Sequence, residues 1–503
     1  MLREHSKKMV EKLSINSEDF NKNYNNKEPQ LIVLKFKSES IDLLNSFMKI
    51  SEDHENSFLF ESLKDGDLSG RYSVIGIKPD KILKIRKKVS KIYNGKKIAE
   101  TVNKEPIEAI RYFVNNSLIK ISEDIPSIAS GIFGYIGYDF VANIEELPEE
   151  KIDEFNIPDC ILLRPSITVV FDKKLDEILI CKAVWYDDNT NADTAFNLAE
   201  SELSQIKEKI KSDQIIKLKS NQKELGSIQS NFTKEQYFEN VRKAREFIKA
   251  GDIFQVVPSQ RLSIEFNAHP FLLYETLRRI NPSPYMYYIK FGDFFIVGSS
   301  PETLVKVEKN KVTIKPIAGT RLKEKGKEEE IKEDLLSDPK ELAEHLMLLD
   351  LGRNDVGRVS KVGSINVKES FQIQETSHLY HIYSTVEGDL NPEEDRVSAL
   401  CAGFPAGTVT GAPKIRAMEI INEIEDRKRS IYSGAIGYFS SSGDMDTAIA
   451  LRTAVIKDNK MYVQAGGGVV YDSDEEYEFN ETLNKAQALF SAAKEVFTKQ
   501  EMK

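Results

Sequence analysis

The sequence has few of the residues that support disulfide-bonded, metal–thiolate or membrane-spanning structures. It contains only three cysteines, Cys160, Cys181 and Cys401, and no two of them form a Cys-x-x-Cys pair. We therefore expect reduced thiols and a cytoplasmic location. No run of apolar residues approaches the ~20 that an α-helix needs to cross a bilayer. These absences argue against a membrane protein and against a disulfide-stabilised secreted scaffold.

Basic residues are also fewer than acidic residues. The 503 residues include 70 Lys and Arg against 80 Asp and Glu, which gives a net charge of −10. This balance argues against a nucleic-acid partner, so an anionic substrate would need a locally basic or metal-bearing pocket. Residues 1–28 are polar and lack the apolar segment of a secretory signal, and we expect them to form a disordered or loosely helical extension.

Chain length and the distribution of strand-forming residues predict an α+β fold. A chain of 503 residues exceeds the size that one hydrophobic core usually serves, so two intimately packed subdomains are expected. Strand-like runs occur in clusters instead of alternating with helices, which favours large, mainly antiparallel sheets flanked by helices. A polar stretch at 217–230 is the best linker, and it separates an N-terminal region (29–225) from a C-terminal region (231–499).

Two of three expected helices have clear start or stop signals in the sequence. Thr233 and Gln236 predict a capping box, and Gly251 marks the end of the helix that follows. An Asp-Pro step predicts the start of a second helix at about residue 339. The last helix is expected at 474–499.

The second and third of these helices each carry a pair of glutamates three residues apart. The pairs are Glu341 with Glu344 and Glu478 with Glu481. This spacing places both members of a pair on one helix face. Two such faces could supply oxygen ligands for Mg²⁺, although an ordinary solvated helix face explains the same spacing.

Small residues and glycines crowd the segment 404–414, which reads Phe-Pro-Ala-Gly-Thr-Val-Thr-Gly-Ala-Pro-Lys. It precedes an apolar-periodic segment at 415–424, so its backbone N–H groups could approach an anion at a helix N-terminus. The residue order is not that of a phosphate-binding P-loop, which needs Gly-Lys-Ser/Thr. An ordinary tight turn explains the pattern about as well.

The segment 404–414 resembles the signature of the chorismate-utilising enzymes, and within them that of the large components of anthranilate synthases. The resemblance extends over residues 31–497 and is sharpest between 232 and 486. It implies a lyase that makes anthranilate and pyruvate from chorismate and ammonia, with Mg²⁺ as cofactor, in the first committed step of tryptophan biosynthesis. The two glutamate pairs then match the family's Mg²⁺-binding helices, with Glu344 and Glu481 as principal ligands.

Further motifs match the family's substrate pocket. Three consecutive glycines follow a predicted strand and resemble the loop that holds the ring carboxylate of chorismate through backbone N–H groups. Arg452 matches an arginine that pairs with a substrate carboxylate through its two-pronged guanidinium. Without the resemblance, these features read as a flexible turn and a surface charge. The substrate-binding residues implied are Gly319, Thr320, Thr408, Tyr432, Arg452, Gly466, Gly467, Gly468 and Lys485.

The resemblance also implies which groups act on the substrate ring. Glu302 is expected to protonate the departing C4 hydroxyl, and Thr320 is expected to orient that hydroxyl. His381 matches a histidine associated with the loss of pyruvate. Gln255 occupies the position where isochorismate and salicylate synthases carry a lysine that activates water, and a neutral amide cannot act as that base.

One further position separates this chain from relatives that make the para-amino product. Those relatives resemble Pro-Ile-Lys-Gly-Thr and use the lysine as a covalent nucleophile, whereas this chain has Ala318 there, so ammonia itself must attack. An aminodeoxychorismate synthase component, or another chorismate enzyme, remains the alternative. A non-catalytic tryptophan-binding regulator is a second alternative, but it would be expected to lack residues such as Glu302 or Arg452, which are present.

The chain lacks the constellation of a glutaminase, which needs a cysteine nucleophile in a glycine-rich elbow and a histidine partner. The resemblance therefore implies a separate glutamine amidotransferase subunit, in a heterotetramer of two large and two small subunits. It also implies feedback inhibition by L-tryptophan bound in the N-terminal region. The inhibitor-binding residues implied are Glu61, Ser62, Pro284, Tyr285 and Met286.

Overall fold

Antiparallel strands form the centre of the computed structural model, which describes residues 12–39, 41–63, 70–148, 151–218, 226–375 and 379–498. Many strands are rich in branched and aromatic residues, whose side chains pack well on a pleated surface. In chain order, the strands of the described residues are β1 (Lys12–Leu13), β2 (Gln30–Lys37), β3 (Asn56–Glu61), β4 (Tyr72–Arg86), β5 (Val89–Asn94), β6 (Lys97–Val102), β7 (Gly131–Ile136), β8 (Cys160–Asp172), β9 (Glu177–Val184), β10 (Gln229–Ser230), β11 (Gln255–Val256), β12 (Ser259–Glu265), β13 (Tyr285–Phe291), β14 (Phe294–Ser300), β15 (Thr303–Glu308), β16 (Lys311–Ile314), β17 (Ile317–Leu322), β18 (Asn366–Glu375), β19 (Leu379–Asp389), β20 (Gly411–Ala412), β21 (Ala435–Ser440), β22 (Met445–Ile449), β23 (Thr453–Lys457) and β24 (Lys460–Gly466).

Helices begin where the sequence supplies capping groups. Thr233 and Gln236 form both hydrogen bonds of the predicted capping box, and Gly251 ends that helix with φ +83°. Asp338 accepts hydrogen bonds from the first backbone N–H groups of another helix. The α-helices of the described residues are α1 (Ser17–Asn25), α2 (Leu43–Ser51), α3 (Pro106–Asn115), α4 (Ala192–Lys211), α5 (Lys234–Ala250), α6 (Pro270–Ile280), α7 (Glu328–Ser337), α8 (Pro339–Gly357), α9 (Arg396–Gly403), α10 (Lys414–Ile424) and α11 (Glu475–Thr498). None of these helices is both long enough and apolar enough to cross a membrane.

Two long strands, β4 and β8, belong to two sheets at once. Pro79 of β4 lies opposite Pro165 of β8, and the register shifts there because proline has no backbone N–H to donate. On one side of this break, the first sheet has the strand order β1-β2-β9-β8-β4-β3-β13-β14-β23-β24-β12-β10. On the other side, the second sheet runs β6-β5-β4-β8-β7-β21-β22-β15-β16-β19, and β19 also pairs with β17 and β18.

The two sheets face each other, and helices cover their outer faces, so the fold has four layers. Phe58, Phe133 and Tyr287 are among the side chains that fill the core between the sheets. The outer face of the first sheet packs against α1, α2, α4, α6 and α11. The outer face of the second sheet packs against residues of α3, α8, α9 and α10. The predicted α+β fold with large antiparallel sheets flanked by helices is confirmed.

The N-terminal and C-terminal regions contribute strands to both sheets. Strand β3 pairs with β13, which sets Glu61 opposite Met286, and β7 pairs with β21, which sets Gly134 opposite Gly437. The predicted linker lies partly outside the described residues, because 219–225 are not among them, and its end forms β10. The two regions are therefore joined by continuous hydrogen-bonded sheets.

Part of the N-terminal stretch is a packed helix. Helix α1 lies within residues 1–28 and buries Phe20 and Tyr24 against the first sheet and α4. A disordered or loosely helical extension was expected here, and the structure has a helix that is packed against the core. Polar composition concealed the two aromatic side chains, which lie four residues apart on one helix face and supply enough apolar surface to anchor it.

Candidate active site

One edge of the sandwich brings together chain segments from both sheets. The chain passes from the first sheet to the second between β14 and β15, and it returns between β22 and β23. Glu302 lies in the first link and Arg452 in the second. Helix α8 covers the second sheet and α11 covers the first, and Glu344 of α8 lies close enough to Glu481 of α11 for their charges to interact.

Glu302 is buried at this edge in an environment that favours its protonated form. Its Oε1 accepts a 2.8 Å hydrogen bond from the Thr408 hydroxyl. Burial raises the pKa of Glu302 to about 7, against the opposing effects of the Thr408 hydroxyl and the charges of Lys485 and Arg452. A carboxyl group with a pKa near neutrality can donate a proton at physiological pH. The structure thus joins the predicted acid to the segment 404–414, which carries Thr408.

Arg452 and Lys485 supply positive charge beside the carboxylates. Arg452 Nη1 donates a 2.8 Å hydrogen bond to the Lys485 carbonyl. Lys485 Nζ donates to the Gly466 carbonyl at 3.0 Å and pairs with Glu481 at 2.8 Å. The backbone of Arg452 has φ +48°, a left-handed conformation that costs energy for a non-glycine residue and that clusters at functional sites. These contacts hold a cationic corner, defined by Arg452 and Lys485, against the glycine loop.

The first two of the three predicted loop glycines approach other predicted site residues closely. A Cβ added at Gly466 would lie 2.9 Å from the Tyr432 hydroxyl. A Cβ added at Gly467 would lie 2.6 Å from Glu478 Oε2. Because real Cβ atoms do not come this near, a side chain at either position would displace a site residue.

Gln255 lies between the glycine loop and helix α8. Its Nε2 donates a 3.1 Å hydrogen bond to Glu344 Oε1, and a Cβ at Gly468 would lie 2.6 Å from the same nitrogen. In the short ladder of β11 and β20, Gln255 is opposite Ala412. Gln255 is therefore paired with the segment 404–414 and contacts Glu344, one of the predicted metal ligands.

Glu478 differs from the solvated glutamate that its helix position suggested. It is 4% exposed, and its Oε2 has no hydrogen-bond partner among the described residues. Burial raises the pKa of Glu478, and the neighbouring charge of Glu481 raises it further. Burial also raises the pKa of Glu344, and the charges of Glu341 and Glu481 add to this. A divalent cation would relieve this crowding, because it favours ionised oxygen ligands.

The four predicted metal ligands are not arranged as a complete site. Glu341 accepts a 2.7 Å hydrogen bond from Arg321, so one of its oxygens is already engaged by a cation of the protein. Within the described ranges, no three acidic, histidine or cysteine side chains are close enough together to hold a metal ion. The donor set of Glu344, Glu478 and Glu481 still fits Mg²⁺, which binds through few carboxylates together with water and substrate oxygens.

Thr320 and His381 face each other on β17 and β19. The Thr320 hydroxyl and His381 Nδ1 are 3.0 Å apart. Burial, together with the charges of Arg452 and Lys485, lowers the pKa of His381 to about 4. The ring is therefore neutral at neutral pH and can accept a proton. Gly319 next to Thr320 has φ +79°, a conformation that favours glycine.

The lysine that ends the segment 404–414 is engaged by a carboxylate of the protein. Lys414 Nζ binds both oxygens of Asp355, at 2.9 and 2.8 Å. Asp355 belongs to α8, so this pair fixes the segment 404–414 to the helix that carries Glu344. We still predict that backbone N–H groups of the segment 404–414 approach an anion.

The two segments predicted to bind tryptophan are neighbours in the first sheet. Glu61 lies opposite Met286, and the Leu63 N–H donates a 3.1 Å hydrogen bond to the carbonyl of Ser283, the residue before Pro284. The pairing of β3 with β13 brings these two segments together although they lie far apart in the sequence.

Contacts already satisfy most of the polar groups in these two segments. Glu61 accepts hydrogen bonds from the Tyr274 hydroxyl at 2.6 Å and from Arg278 at 2.7 and 3.0 Å. The Tyr285 hydroxyl binds Asp446 at 2.9 Å. The Ser62 hydroxyl is buried and has no hydrogen-bond partner within the described chain. It is therefore the group in this cluster with capacity left for a ligand.

Sequence reasoning missed two residues that support the site. Arg321 binds Glu341 and the N-cap residue Asp338. His345 is fully buried, and its Nε2 lies 2.7 Å from the Ser384 hydroxyl of β19, the strand that carries His381. Each of the two directly follows a predicted site residue, Thr320 or Glu344, and this adjacency is their only signal in the sequence.

Sequence comparisons agree with this geometry. The family described as chorismate binding enzyme matches residues 55–491. Anthranilate synthase component 1 from Cereibacter sphaeroides is 44% identical over 485 residues, which cover 95% of this chain and 97% of that protein. Anthranilate synthase component 1 from Neisseria meningitidis serogroup B is 43% identical over 460 residues, which cover 90% and 92%.

Solved structures share the architecture. Anthranilate synthase component I from Streptococcus pneumoniae TIGR4 has a TM-score of 0.74 and 34% identity, with 90% of this chain and 98% of that chain covered. The menaquinone-specific isochorismate synthase from Escherichia coli has a TM-score of 0.70 with 95% and 98% covered, and at 18% identity it shows a common fold alone. The family match spans most of the sequence and the relatives are more than 40% identical, so this chain belongs to the chorismate binding enzymes.

Proposed function

We propose that this chain is the large component of an anthranilate synthase and makes anthranilate and pyruvate from chorismate and ammonia in the cytoplasm. One observation carries the proposal: Glu302, whose pKa burial raises to about 7, lies near the cationic corner of Arg452 and Lys485. Two further facts support this reaction. The relatives are named anthranilate synthase component 1, and position 318 is alanine where enzymes that make the para-amino product carry a nucleophilic lysine. We assign this chemistry to residues 231–499.

The site offers groups that suit both the charge and the ring of chorismate. The guanidinium of Arg452 can bind a substrate carboxylate with two parallel hydrogen bonds, and Lys485 adds a second positive charge. The backbone N–H of Gly468 can help to hold the ring carboxylate, whereas that of Gly467 already donates to the Pro258 carbonyl at 3.2 Å. Tyr432, next to Gly466, would close one side of the ring.

In the first step, ammonia forms a bond to C2 of the ring while the bond from C4 to its hydroxyl breaks. Glu302 gives its proton to this hydroxyl, which leaves as water, and Thr320 orients it. Hydroxide is a poor leaving group, so a positioned acid contributes about 10²–10⁴-fold to the rate. Gln255 is a neutral amide and cannot activate water as a competing nucleophile.

In the second step, the aminated ring loses its C2 proton and its enolpyruvyl group. His381 is neutral, because burial lowers its pKa to about 4, and it can accept the proton. The bond between C3 and the ether oxygen breaks, the enolate takes up a proton to become pyruvate, and the ring becomes aromatic. The Thr320 hydroxyl, 3.0 Å from Nδ1, orients the imidazole.

Mg²⁺ is the cofactor that fits the carboxylates of α8 and α11. Glu344, Glu478 and Glu481 would hold it, and Glu341 could join them if Arg321 released it. Bound there, Mg²⁺ would neutralise the carboxylate of the substrate and fix its orientation. The unpartnered buried oxygen of Glu478 supports this assignment.

Ammonia would come from a separate glutamine amidotransferase subunit, in an assembly of two large and two small subunits. Burial raises the pKa of Cys181 and of Cys401 to about 12, and it raises the pKa of Cys160 well above the usual range. Thiols that ionise this poorly are weak nucleophiles, so none suits glutamine hydrolysis.

The proposed activity predicts that the purified chain forms anthranilate from chorismate only when both Mg²⁺ and an ammonium salt are present. Glutamine should replace ammonium only after a glutamine amidotransferase subunit is added. Fluorescence measures the rate, and mass spectrometry separates the ortho-amino product from aminodeoxychorismate. Robust glutamine-dependent turnover by the chain alone would contradict the two-subunit proposal, and aminodeoxychorismate as product would favour the para-amino alternative.

We further propose that residues 29–225 contribute a feedback site for L-tryptophan at the β3–β13 junction. Glu61 and Ser62 lie on one side, and Pro284, Tyr285 and Met286 lie on the other. A buried amino acid needs partners for its ammonium and carboxylate groups. The unpartnered hydroxyl of Ser62 and the backbone carbonyls near it are suitable partners.

Replacing Ser62 by phenylalanine should relieve inhibition by tryptophan and leave ammonia-dependent turnover intact, because the ring would fill the proposed pocket. We expect the tryptophan concentration for half-inhibition to rise at least about tenfold, which corresponds to a loss of ~1.4 kcal/mol of binding. Inhibition curves and calorimetry on both proteins measure the effect. If the parent binds no tryptophan, or if Ser62→Phe is inhibited like the parent, the feedback site is rejected while the catalytic proposal stands.

A further inference from the structure

A buried ion pair lies beneath the proposed chorismate site. Glu425 follows the last residue of α10, and Arg429 comes four residues later; they are 4% and 2% exposed. Arg429 Nε donates to Glu425 Oε2 at 2.9 Å, and Nη2 donates to Oε1 at 2.6 Å. This two-pronged geometry fixes the orientation of both side chains.

The remaining N–H groups of Arg429 reach the backbone of two segments that carry site residues. Nη1 donates a 2.8 Å hydrogen bond to the Val409 carbonyl, and Nη2 donates a 2.6 Å hydrogen bond to the Val257 carbonyl. Val409 directly follows Thr408, whose hydroxyl binds Glu302. Val257 directly follows β11, which contains Gln255.

Glu425 extends the same network to the glycine loop. Its Oε1 accepts 2.8 Å hydrogen bonds from both the N–H and the hydroxyl of Ser259. The Ser259 hydroxyl accepts a 2.8 Å hydrogen bond from Gln464 Nε2. Ser259 is also opposite Gly466 in the β12–β24 ladder. The carboxylate is thus connected to the strand that leads into the loop.

The guanidinium of Arg429 also contacts aromatic rings. It lies 5.5 Å from the centroid of the Tyr432 ring and 4.9 Å from that of Tyr138. A cation is attracted to the face of such rings, more strongly when water is excluded. One side chain therefore contacts the segment of Thr408, the segment of Gln255 and the ring of Tyr432.

We propose that Arg429 and Glu425 are positioning residues for the reaction, which hold the segments of Thr408, Tyr432 and Gly466 in fixed relative places so that the acid and the carboxylate-binding loop engage one substrate molecule. Both side chains are buried beneath these segments, so they act through their neighbours. The inference rests on the proposed function for its chemistry, and on membership of the chorismate binding enzymes for substrate binding. Its physical basis is that catalysis depends on the placement of groups to within a fraction of an ångström.

Arg429→Lys tests the inference, because lysine keeps the charge but has one compact ammonium in place of the planar fork. We expect kcat/KM with ammonia to fall about 10–100-fold, since a misplacement of ~1 Å costs up to about 10²-fold. The matched control is Arg164→Lys. Arg164 is also buried, binds Asp80 with two hydrogen bonds, donates to the Asn116 carbonyl and stacks on Trp185. The control should lose thermal stability but keep its kcat/KM.

The pH profile distinguishes positioning from a general loss of stability. The Thr408 hydroxyl lowers the pKa of Glu302, so freeing Thr408 should raise that pKa and move the alkaline limb of the rate to higher pH. We expect Thr408→Val, Arg429→Lys and the double variant to show the same shift, because each removes the same hydrogen bond. An unshifted limb in Arg429→Lys, with kcat/KM like that of the control, would overturn the inference.

Ser259→Ala provides a second test if Arg429→Lys does not fold. It removes the hydroxyl that joins Glu425 to Gln464, so the KM for chorismate should rise while the alkaline limb stays in place. An unchanged KM would contradict the link to the glycine loop. Calorimetric binding of chorismate is measured for every variant. If the parent binds chorismate without forming anthranilate, the proposed function is refuted. The positioning role is then tested by whether Arg429→Lys and Ser259→Ala bind chorismate more weakly than the parent.

Discussion

Glu302→Gln is expected to lower kcat about 10²–10⁴-fold, the usual contribution of a positioned general acid. Glutamine has nearly the same shape and can still bind the Thr408 hydroxyl, but it has no acidic proton to give to the departing hydroxyl. In the parent, the acid must be protonated, and burial raises the pKa of Glu302 to about 7. The rate should therefore fall as pH rises through about 7, and this limb should vanish in Glu302→Gln.

The matched control for this substitution is Glu308→Gln. Glu308 is the last residue of β15, the strand that begins directly after Glu302. It is exposed and pairs with Lys306 at the surface. Its loss should leave both kcat and the pH profile unchanged, because exposed ion pairs contribute little. Initial rates of anthranilate formation across pH measure both variants. If Glu302→Gln keeps kcat within a factor of about three, Glu302 is not the acid.

Glu481→Gln is expected to abolish Mg²⁺-dependent turnover, with a loss of at least about 10³-fold. The carboxylate of Glu481 pairs with Lys485 and lies beside Glu478 and the glycine loop. A neutral amide gives a weaker oxygen ligand for a hard cation and also leaves Lys485 without its partner. The fold should persist, because Glu481 is only partly buried and glutamine is close to it in size.

Three measurements separate the explanations for this variant. Turnover is titrated with Mg²⁺, metal binding is followed by calorimetry in the presence of chorismate, and the melting temperature reports stability. The control is Glu476→Gln on the same helix, whose carboxylate forms an exposed pair with Lys234. Near-parental turnover of Glu481→Gln at saturating Mg²⁺ would show that this carboxylate is a structural charge and not a ligand.

Local features of the fold were predictable because their causes lie within a few residues. The capping box of Thr233 and Gln236 and the Asp338 cap each need only one helical turn of sequence. The placement of the glutamate pairs on α8 and α11 follows from helix periodicity in the same way. The overall α+β class followed from the clustering of strands.

Features that depend on distant partners could not be predicted. Sequence analysis did not single out Arg429 and Glu425, because their burial depends on Val257, Ser259 and Val409, and two of these three lie far away in the chain. From helix periodicity alone, a solvated face explained Glu478 equally well, because periodicity does not reveal which element covers that face. The resemblance implied which residues form the site. The raised pKa of Glu302 depends on tertiary burial, which the sequence does not show.

The interleaving of the two sheets governs how this chain must be made. A ribosome releases the N-terminal region first, and that region has open strand edges at β3 and β7 until β13 and β21 are synthesised. Unpaired edges of this kind recruit other chains and promote aggregation. We therefore expect the nascent N-terminal region to benefit from chaperones that shield such edges. A gene split between the two regions would yield fragments with unsatisfied edges, and they would regain solubility only when co-expressed.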